Sequence, residues 1–522
     1  MFLTLVYGIV VALVFYIKFW NSLKSFIVKR WRWMVLMRKL PCPPTYPVIG
    51  NLMLLPTSNL ELICTVDYVM ERYAFKRDDG IVTIWLGPVP IVFLARSTSA
   101  KVLLESQNAT TKSHEYEILQ QLLGQGLITS AGEKWFTRRR MLTPAFHFNI
   151  LKHFIPIIND NIHQFITILD DLCTENVKFD LFPYLKRLSL DVIAETAMGI
   201  KINSLGGENE DYCYATKRIY ELMWDYIRFP WLWLKPAWKL SGYEKEFNEC
   251  LQVAKNMTNK VIREKKREIA KRSDSGKDSI TILDDFVAKA PKKRLAFLDL
   301  LLEMQHENKL TDEDIREEVD TFMMAGHDTL SSTLGFMLFL LGHEQDVQQK
   351  IYEEIIDVLG DNIDGPIAEE DTTKMKFMDM CMKESIRLFP TVPFLGRTIS
   401  TDMVVGDTVI PAQTTVVVAT YAVQRDPLQY ERPNEFYPEH FSPESAAKRD
   451  PFAFLPFSAG PRNCLGRKFA LTEQKLTLAS VLRRFKVISV LKKESNFSLP
   501  ELTLKPSNGF PIRLERRIIK SN

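Results

Sequence analysis

Phe457-Ser458-Ala459-Gly460-Pro461-Arg462-Asn463-Cys464-Leu465-Gly466 runs straight into a helical pattern from Arg467 through Phe485. A lone cysteine just before a helix is suited to being a thiolate, because the helix N-terminus presents free amide N–H groups and partial positive charge. Gly460 and Gly466 let backbone approach something flat, Phe457 can shield one face of it, and Arg462 supplies a cation for an acidic group on it. For a bare cysteine a buried structural role is the better account, and on these residues alone both readings stay open. The chain's seven cysteines (Cys42, Cys64, Cys173, Cys213, Cys250, Cys381, Cys464) are odd in number and scattered, with no C-x-x-C. Neither a zinc ribbon nor a disulfide framework fits. A reducing, cytosol-facing body is the simplest account.

The chain has 522 residues, 46% hydrophobic, 25% charged and 11% aromatic. This excludes disorder, collagen-like repetition and a disulfide-built miniprotein. Net charge is +3, unevenly placed: the first 60 residues hold seven Lys/Arg and no acid, leaving 60 bases against 64 acids in the rest. Nucleic-acid binding by bulk charge is excluded for such a body. Met1 to Ile17 carries no charge, a length at the short end of what spans a bilayer. A cleavable signal needs bases before the apolar run and small residues after it; here bases and aromatics follow. The reading is an uncleaved anchor over 1–20, body cytoplasmic. A basic interfacial segment with Trp31 and Trp33 and the proline-rich Pro41–Pro47 stretch form a hinge over 21–50, and the globular body spans 51–522.

Helical periodicity falls on His147–Cys173, Lys217–Met223, Glu244–Lys271, Asp312–His343 and Val347–Leu359. Short β-like runs are Val82–Leu86, Ile91–Leu94, Met403–Val405, Val409–Ile410 and Thr415–Ala419. The fold class is mainly α with a small β part. Trp224–Leu240 gathers four tryptophans around two prolines, with Arg228, Lys235 and Lys239 interleaved. It reads either as core or as a second membrane-dipping surface.

Further marks flank the cysteine stretch. Trp135 and Arg139 are one helical turn apart and can face one group. The long helix starts at the capping signature Thr311-x-x-Asp314 and spans about 45–50 Å to His343 at about 1.5 Å per residue. Gly326 in its middle weakens it by about 1 kcal/mol relative to Ala, which suggests that room is needed beside it. Thr329 can bond back to the Ala325 carbonyl and open the local ladder. Glu384 and Arg387 form an i,i+3 pair on a helix ended by Pro390, and Pro438-Glu439-His440-Phe441 follows.

In this order the marks resemble the cytochrome P-450 family, across essentially the whole chain. The resemblance implies a haem b whose iron takes Cys464 as axial thiolate, which pushes electron density onto the metal and favours O–O cleavage. Trp135, Arg139, Arg397 and Arg462 match propionate partners, and Phe457 and Gly466 match positions against the ring. Asp328 and Thr329 match the acid–alcohol pair that relays protons to the reacting oxygen, with Gly326 giving O₂ its room. Glu384 and Arg387 match a buried architectural pair completed by His440, where many members carry Arg, so that the third partner is weaker or pH-dependent.

Leu142–Phe148 (LTPAFHF), Val392–Arg397 (VPFLGR) and TFMMAGHDT resemble the family 4 branch, particularly arthropod members. Many of these carry Glu at the position of Ala325 and esterify the haem with it; Ala325 implies non-covalent haem. Leu330, often Thr in the family, adds apolar surface. The branch implies hydroxylation of fatty acids or related lipids at or near the terminal carbon. Leu119, Phe322, Ala325, Val392, Phe394 and Phe510 are pocket candidates, an apolar set that also suits xenobiotics, hormones or hydrocarbons. No Gly-rich dinucleotide fingerprint follows a strand. The resemblance therefore implies electrons from NADPH-cytochrome P-450 reductase on the endoplasmic reticulum membrane, with cytochrome b5 as a further donor. Lys134, Arg138, Arg140, Arg467 and Lys468 are candidates for the docking face. A haem-thiolate isomerase or dehydratase commonly lacks the acid–alcohol pair, and a non-enzymatic haem sensor is the remaining alternative.

Overall fold

The computed structural model describes residues 20, 24, 25, 27–274, 297–307, 309–360 and 365–517. The anchor expected over 1–20 lies outside the described residues except for Trp20. Among the described residues no helix is long and apolar enough to cross a membrane.

The body is built around one buried helix. Helix α1 spans Gly132–Leu142, α2 Phe182–Ile193, α3 Asp312–His343, α4 Lys376–Leu388 and α5 Arg467–Arg484. Helix α3 starts at a complete capping box: Asp314 N–H donates to Thr311 Oγ1 at 3.1 Å, and Thr311 N–H to Asp314 Oδ2 at 3.0 Å. Its side chains are buried on nearly every face, as expected for a helix at the centre of a large domain. Helix α2, the helix Tyr243–Asp274, α4, α5 and the strand Phe485–Ser489 pack on it.

Gly326 sets the α2 contact. A Cβ there would lie 2.6 Å from Ile193 Cγ1 of α2. On the side where a Cβ would point, the glycine admits Ile193 and so serves helix packing, while Gly326 itself keeps accessible surface. Likewise a Cβ on Gly335 would meet the Phe510 ring at 2.0 Å.

The β part is small. Strands β1 (Ile81–Leu86), β2 (Val89–Leu94), β3 (Phe394–Thr398) and β4 (Thr415–Ala419) form one sheet in the order β1-β2-β4-β3, with β2 and β4 parallel. In a second sheet the strand Pro511–Arg516 lies between Phe179–Asp180 and Phe485–Ser489.

The N-terminal segment docks on the first sheet. Met37 and Leu40 are buried in its core, and Trp33 packs edge-on against Trp85 while donating to Thr414 Oγ1 at 3.1 Å. Trp31 points outward, so the two tryptophans expected at a headgroup level part company. The second tryptophan cluster divides similarly. Trp238 is buried among Tyr226, Tyr243 and Phe247, whereas Trp231, Leu234 and Leu240 are exposed.

Candidate functional site

The Cys464 loop closes on itself before α5 begins. Cys464 N–H donates to Phe457 O at 2.9 Å and Asn463 N–H to Gly460 O at 3.2 Å. Gly460 has φ +68°, and a Cβ there would collide with Leu104 O at 1.9 Å. Only glycine fits there because of a protein carbonyl, whereas the space beside Gly466 is open. Cys464 keeps exposed surface although much of the chain surrounds it. Burial pushes its thiol pKa up, opposed by the Gly466 N–H, Arg139 and Arg467; a metal cation at the sulfur would reverse the balance outright.

Beside this loop sits a group of cations with no ion-paired acid among the described residues. The Arg462 guanidinium lies 4.2 Å above the Trp135 ring and donates to three carbonyls, Thr110 (2.9 Å), Leu127 (3.1 Å) and Ser130. Arg397, buried on β3, donates to Gly396 O. Burial together with Arg397 and Arg139 pulls Arg462 down to about 9. Lys112, whose backbone bridges Arg397, is held well below the usual lysine range by burial, Arg397 and Arg462. Nothing in the local sequence marks Lys112; only the fold brings it to the arginines. Arg139 turns to the loop itself, donating to Asn463 O at 2.8 Å and to the Asn463 side chain. Trp135 and Arg139 therefore serve different contacts.

On α3 the burial that runs from Glu317 to Gly342 is interrupted at Met324–Gly326 and Thr329. Thr329 Oγ1 donates to Ala325 O at 2.7 Å, and the α-helix continues through the bond. Asp328 is fully engaged: Lys505 Nζ at 2.5 Å, Thr503 Oγ1 at 2.6 Å and Lys186 Nζ at 3.3 Å. Despite burial, the two lysines hold its carboxyl well below the usual range. It is a carboxylate that accepts, and the protons around it belong to Lys505, Thr503 and Lys186, none of which the sequence pattern indicated.

A family model for Cytochrome P450 matches residues 40–512. The chain belongs to the cytochrome P450 family. The human protein Cytochrome P450 4V2 is 39% identical over 485 residues, covering 92% of this chain and 90% of its own. Cytochrome P450 4c3 of Drosophila melanogaster is 36% identical over 502 residues, 95% and 92% of the two chains. Cytochrome P450 4d2 of the same fly is 34% identical over 485 residues, 92% and 94%. This P450 is a monooxygenase, and its family implies haem iron with a thiolate ligand.

The residues fit that group. Cys464 keeps accessible surface at the start of α5, and Arg397, Arg462 and Lys112, repelling one another, lack the anions that haem propionates bring. The partly open stretch of α3 gives a wall with a small side chain at Ala325. Of the pocket candidates, Ala325, Val392 and Phe394 keep accessible surface, while Leu119 and Phe322 are nearly buried. Phe510 is a correction. It has no accessible surface and packs among Phe182, Phe336 and Phe339 over Gly335, which makes it core.

The docking face also changes. Arg138 is buried and paired with Asp314, and Lys134 pairs with Glu317 at 3.0 Å. These bases hold α1 against α3, leaving Arg140, Arg467 and Lys468 exposed. Glu384 and Arg387 are completely buried. Arg387 donates to both Glu384 oxygens (2.7 and 2.8 Å) and to the carbonyls of Gln424, Pro433 and Glu435. His440 Nδ1 stands 3.2 Å from Glu384 Oε1.

Proposed function

We propose that this P450 hydroxylates fatty acids or related lipids at or near the terminal carbon. The observation that carries it is the partly open, apolar middle of α3 around Ala325, in a chain whose relatives carry the family 4 designation. Cys464 is the iron ligand. Bound haem supplies the oxygen-activating chemistry, and the chain holds and shields it. Arg397, Arg462 and Lys112 bind the propionates, while Arg139 and the Phe457–Cys464 hydrogen bond hold the ligand loop in register. Thr329 and Asp328 place a hydroxyl and a fixed charge where protons must arrive. Trp135 supports Arg462 from below, and Phe457 and Gly466 stand against the ring. Glu384, Arg387 and His440 are architectural.

The haem is non-covalent, because the Ala325 methyl cannot form an ester. Haem remaining on the polypeptide after acid–organic extraction would overturn this. The chain consists of an anchor over 1–20, an interfacial segment and hinge over 21–50 and a catalytic body over 51–522, held on the cytoplasmic side of the endoplasmic reticulum membrane. Exposed Trp31, Trp231, Leu234 and Leu240 with the neighbouring lysines support membrane contact. Electrons come from NADPH through cytochrome P-450 reductase, with cytochrome b5 as a further donor, by way of a face containing Arg140, Arg467 and Lys468. The test is oxygen insertion into lauric acid, dependent on NADPH and reductase. Its absence alongside turnover of steroids or xenobiotics would favour hormone or xenobiotic oxidation. Rearrangement of an organic peroxide without reductase would favour an isomerase.

A further inference from the structure

Helix α3 carries two neighbouring acids, Glu317 and Glu318, that are both buried. Burying adjacent carboxylates is costly unless donors compensate them, and here two of the three donors belong to one loop. Gln125 N–H donates to Glu317 Oε1 at 2.7 Å, and Leu127 N–H to Glu318 Oε2 at 3.1 Å. The other Glu317 oxygen takes Lys134 Nζ of α1 at 3.0 Å. The loop backbone lies directly on the helix. Gly124 has φ +51°, and a Cβ on it would strike the Glu317 carboxylate at 2.4 Å; one on Gly126 would strike Thr321 Oγ1 at 2.3 Å and Glu317 O at 2.7 Å.

Leu127 is held from both sides, its N–H by Glu318 and its carbonyl by Arg462 at 3.1 Å. A single residue thus ties the central helix to the guanidinium beside the cysteine loop. Leu119, Leu122 and Leu123, just upstream, are buried below the strap.

We propose that Glu317 and Glu318 are positioning residues that strap the Leu119–Leu127 loop to α3, fixing the shape of the lipophilic pocket and the orientation of Arg462. This rests on the proposed function, with Leu119 of this segment as one of its pocket candidates. The carboxylates select among chain positions presented to the reacting centre by holding the wall still; they touch neither substrate nor haem. Glu318 serves the loop through one oxygen, Oε2, and Gln keeps that acceptor. Glu317 has two duties, and Gln can perform only the one toward Gln125.

The test uses the full, haem-loaded chain and two readouts that require no turnover: amide hydrogen exchange at Gln125 and Leu127, and dissociation of 1-dodecylimidazole, whose imidazole binds haem iron whatever the natural substrate. Glu317→Ala is expected to speed exchange at Gln125, and Glu318→Ala at Leu127, by about tenfold or more, the size of one charge-assisted hydrogen bond. Both variants should release the probe several-fold faster and alter the ratio of terminal to subterminal lauric acid products. Glu318→Gln, which keeps an acceptor for the Leu127 N–H, should exchange there more slowly than Glu318→Ala. Unchanged exchange and probe release in haem-loaded alanine variants would overturn the proposal. If those variants do not load haem, Gly126→Ala decides, because it pushes the loop off Thr321 with both acids intact. Faster release then supports the strap, and wild-type behaviour refutes it. A wild-type protein that binds the imidazole but not lauric acid would count against the substrate reading alone.

Discussion

Replacing Arg387 by Leu tests how the helical body is held to the segment that carries the cysteine loop. Arg387 has no exposed surface and makes five hydrogen bonds, two to Glu384 and one to each of three backbone carbonyls. The variant leaves Glu384 buried, with Tyr437 N–H at 2.9 Å and His440 as its remaining partners. Removing one partner of a buried pair costs about 3–5 kcal/mol, and each orphaned carbonyl adds about 1–3 kcal/mol where water cannot reach it. That is a large share of a total stability of about 5–15 kcal/mol. Arg387→Leu should therefore fail to load haem at physiological temperature. Arg387→Lys keeps the charge but cannot reproduce the planar fork, and should lower the urea midpoint of the haem-loaded protein strongly. In a double-mutant cycle with Glu384→Gln, the coupling should be about 2 kcal/mol or more, as for residues sharing one network. Additive effects, or an Arg387→Lys midpoint equal to wild type, would refute the architectural role.

Two further outcomes follow from the site. Lys112→Met removes one of three mutually repelling cations, so the haem-free chain should be no less stable while haem passes to an apoprotein acceptor about tenfold faster, the size of one charge-assisted hydrogen bond; unchanged transfer would remove Lys112 from the propionate site. Burial holds His327 down to about 4, and its ring nitrogen Nδ1 donates to Met323 O at 2.7 Å. The unfolded chain thus takes up a proton below about pH 6.5 that the folded chain refuses until about pH 4. His327 therefore makes stability fall as pH drops through that window, and thermal midpoints of His327→Gln should fall less steeply between pH 6.5 and 4 than those of wild type. Parallel curves would contradict the assignment.

Asp312–His343 was legible to the residue because its signals are local: an i,i+3 capping pair at Thr311 and Asp314 and a helical pattern ending at His343. Strands Met403–Val405 and Thr415–Ala419 were legible from their β-branched runs. Phe394–Thr398 was not, since Gly396 and Arg397 interrupt its pattern and the strand exists through pairing with Thr415–Ala419. The site divides similarly. Cys464 announced itself by the residues around it, but Lys112, Lys186 and Lys505 reach their partners from segments far away in sequence. Lys134 and Arg138 looked like a surface charge run because Asp314 and Glu317, which bind them, lie some 180 residues later. The packing duty of Gly326 was not legible, because the direction of a missing Cβ depends on helix phase, which here faces Ile193. Phe510 was misjudged because an aromatic residue gives the same local signal in a core as in a pocket wall.

The most direct measurement of the central claim is the reduced, CO-bound absorption spectrum of the haem-loaded protein beside its Cys464→His and Cys464→Ala variants. The expected result is a thiolate-type Soret shift in the intact protein, replaced by an imidazole-type spectrum in Cys464→His and absent in Cys464→Ala. A thiolate-type shift that survives Cys464→Ala, or is missing from the intact protein, would contradict the assignment of Cys464 as the iron ligand.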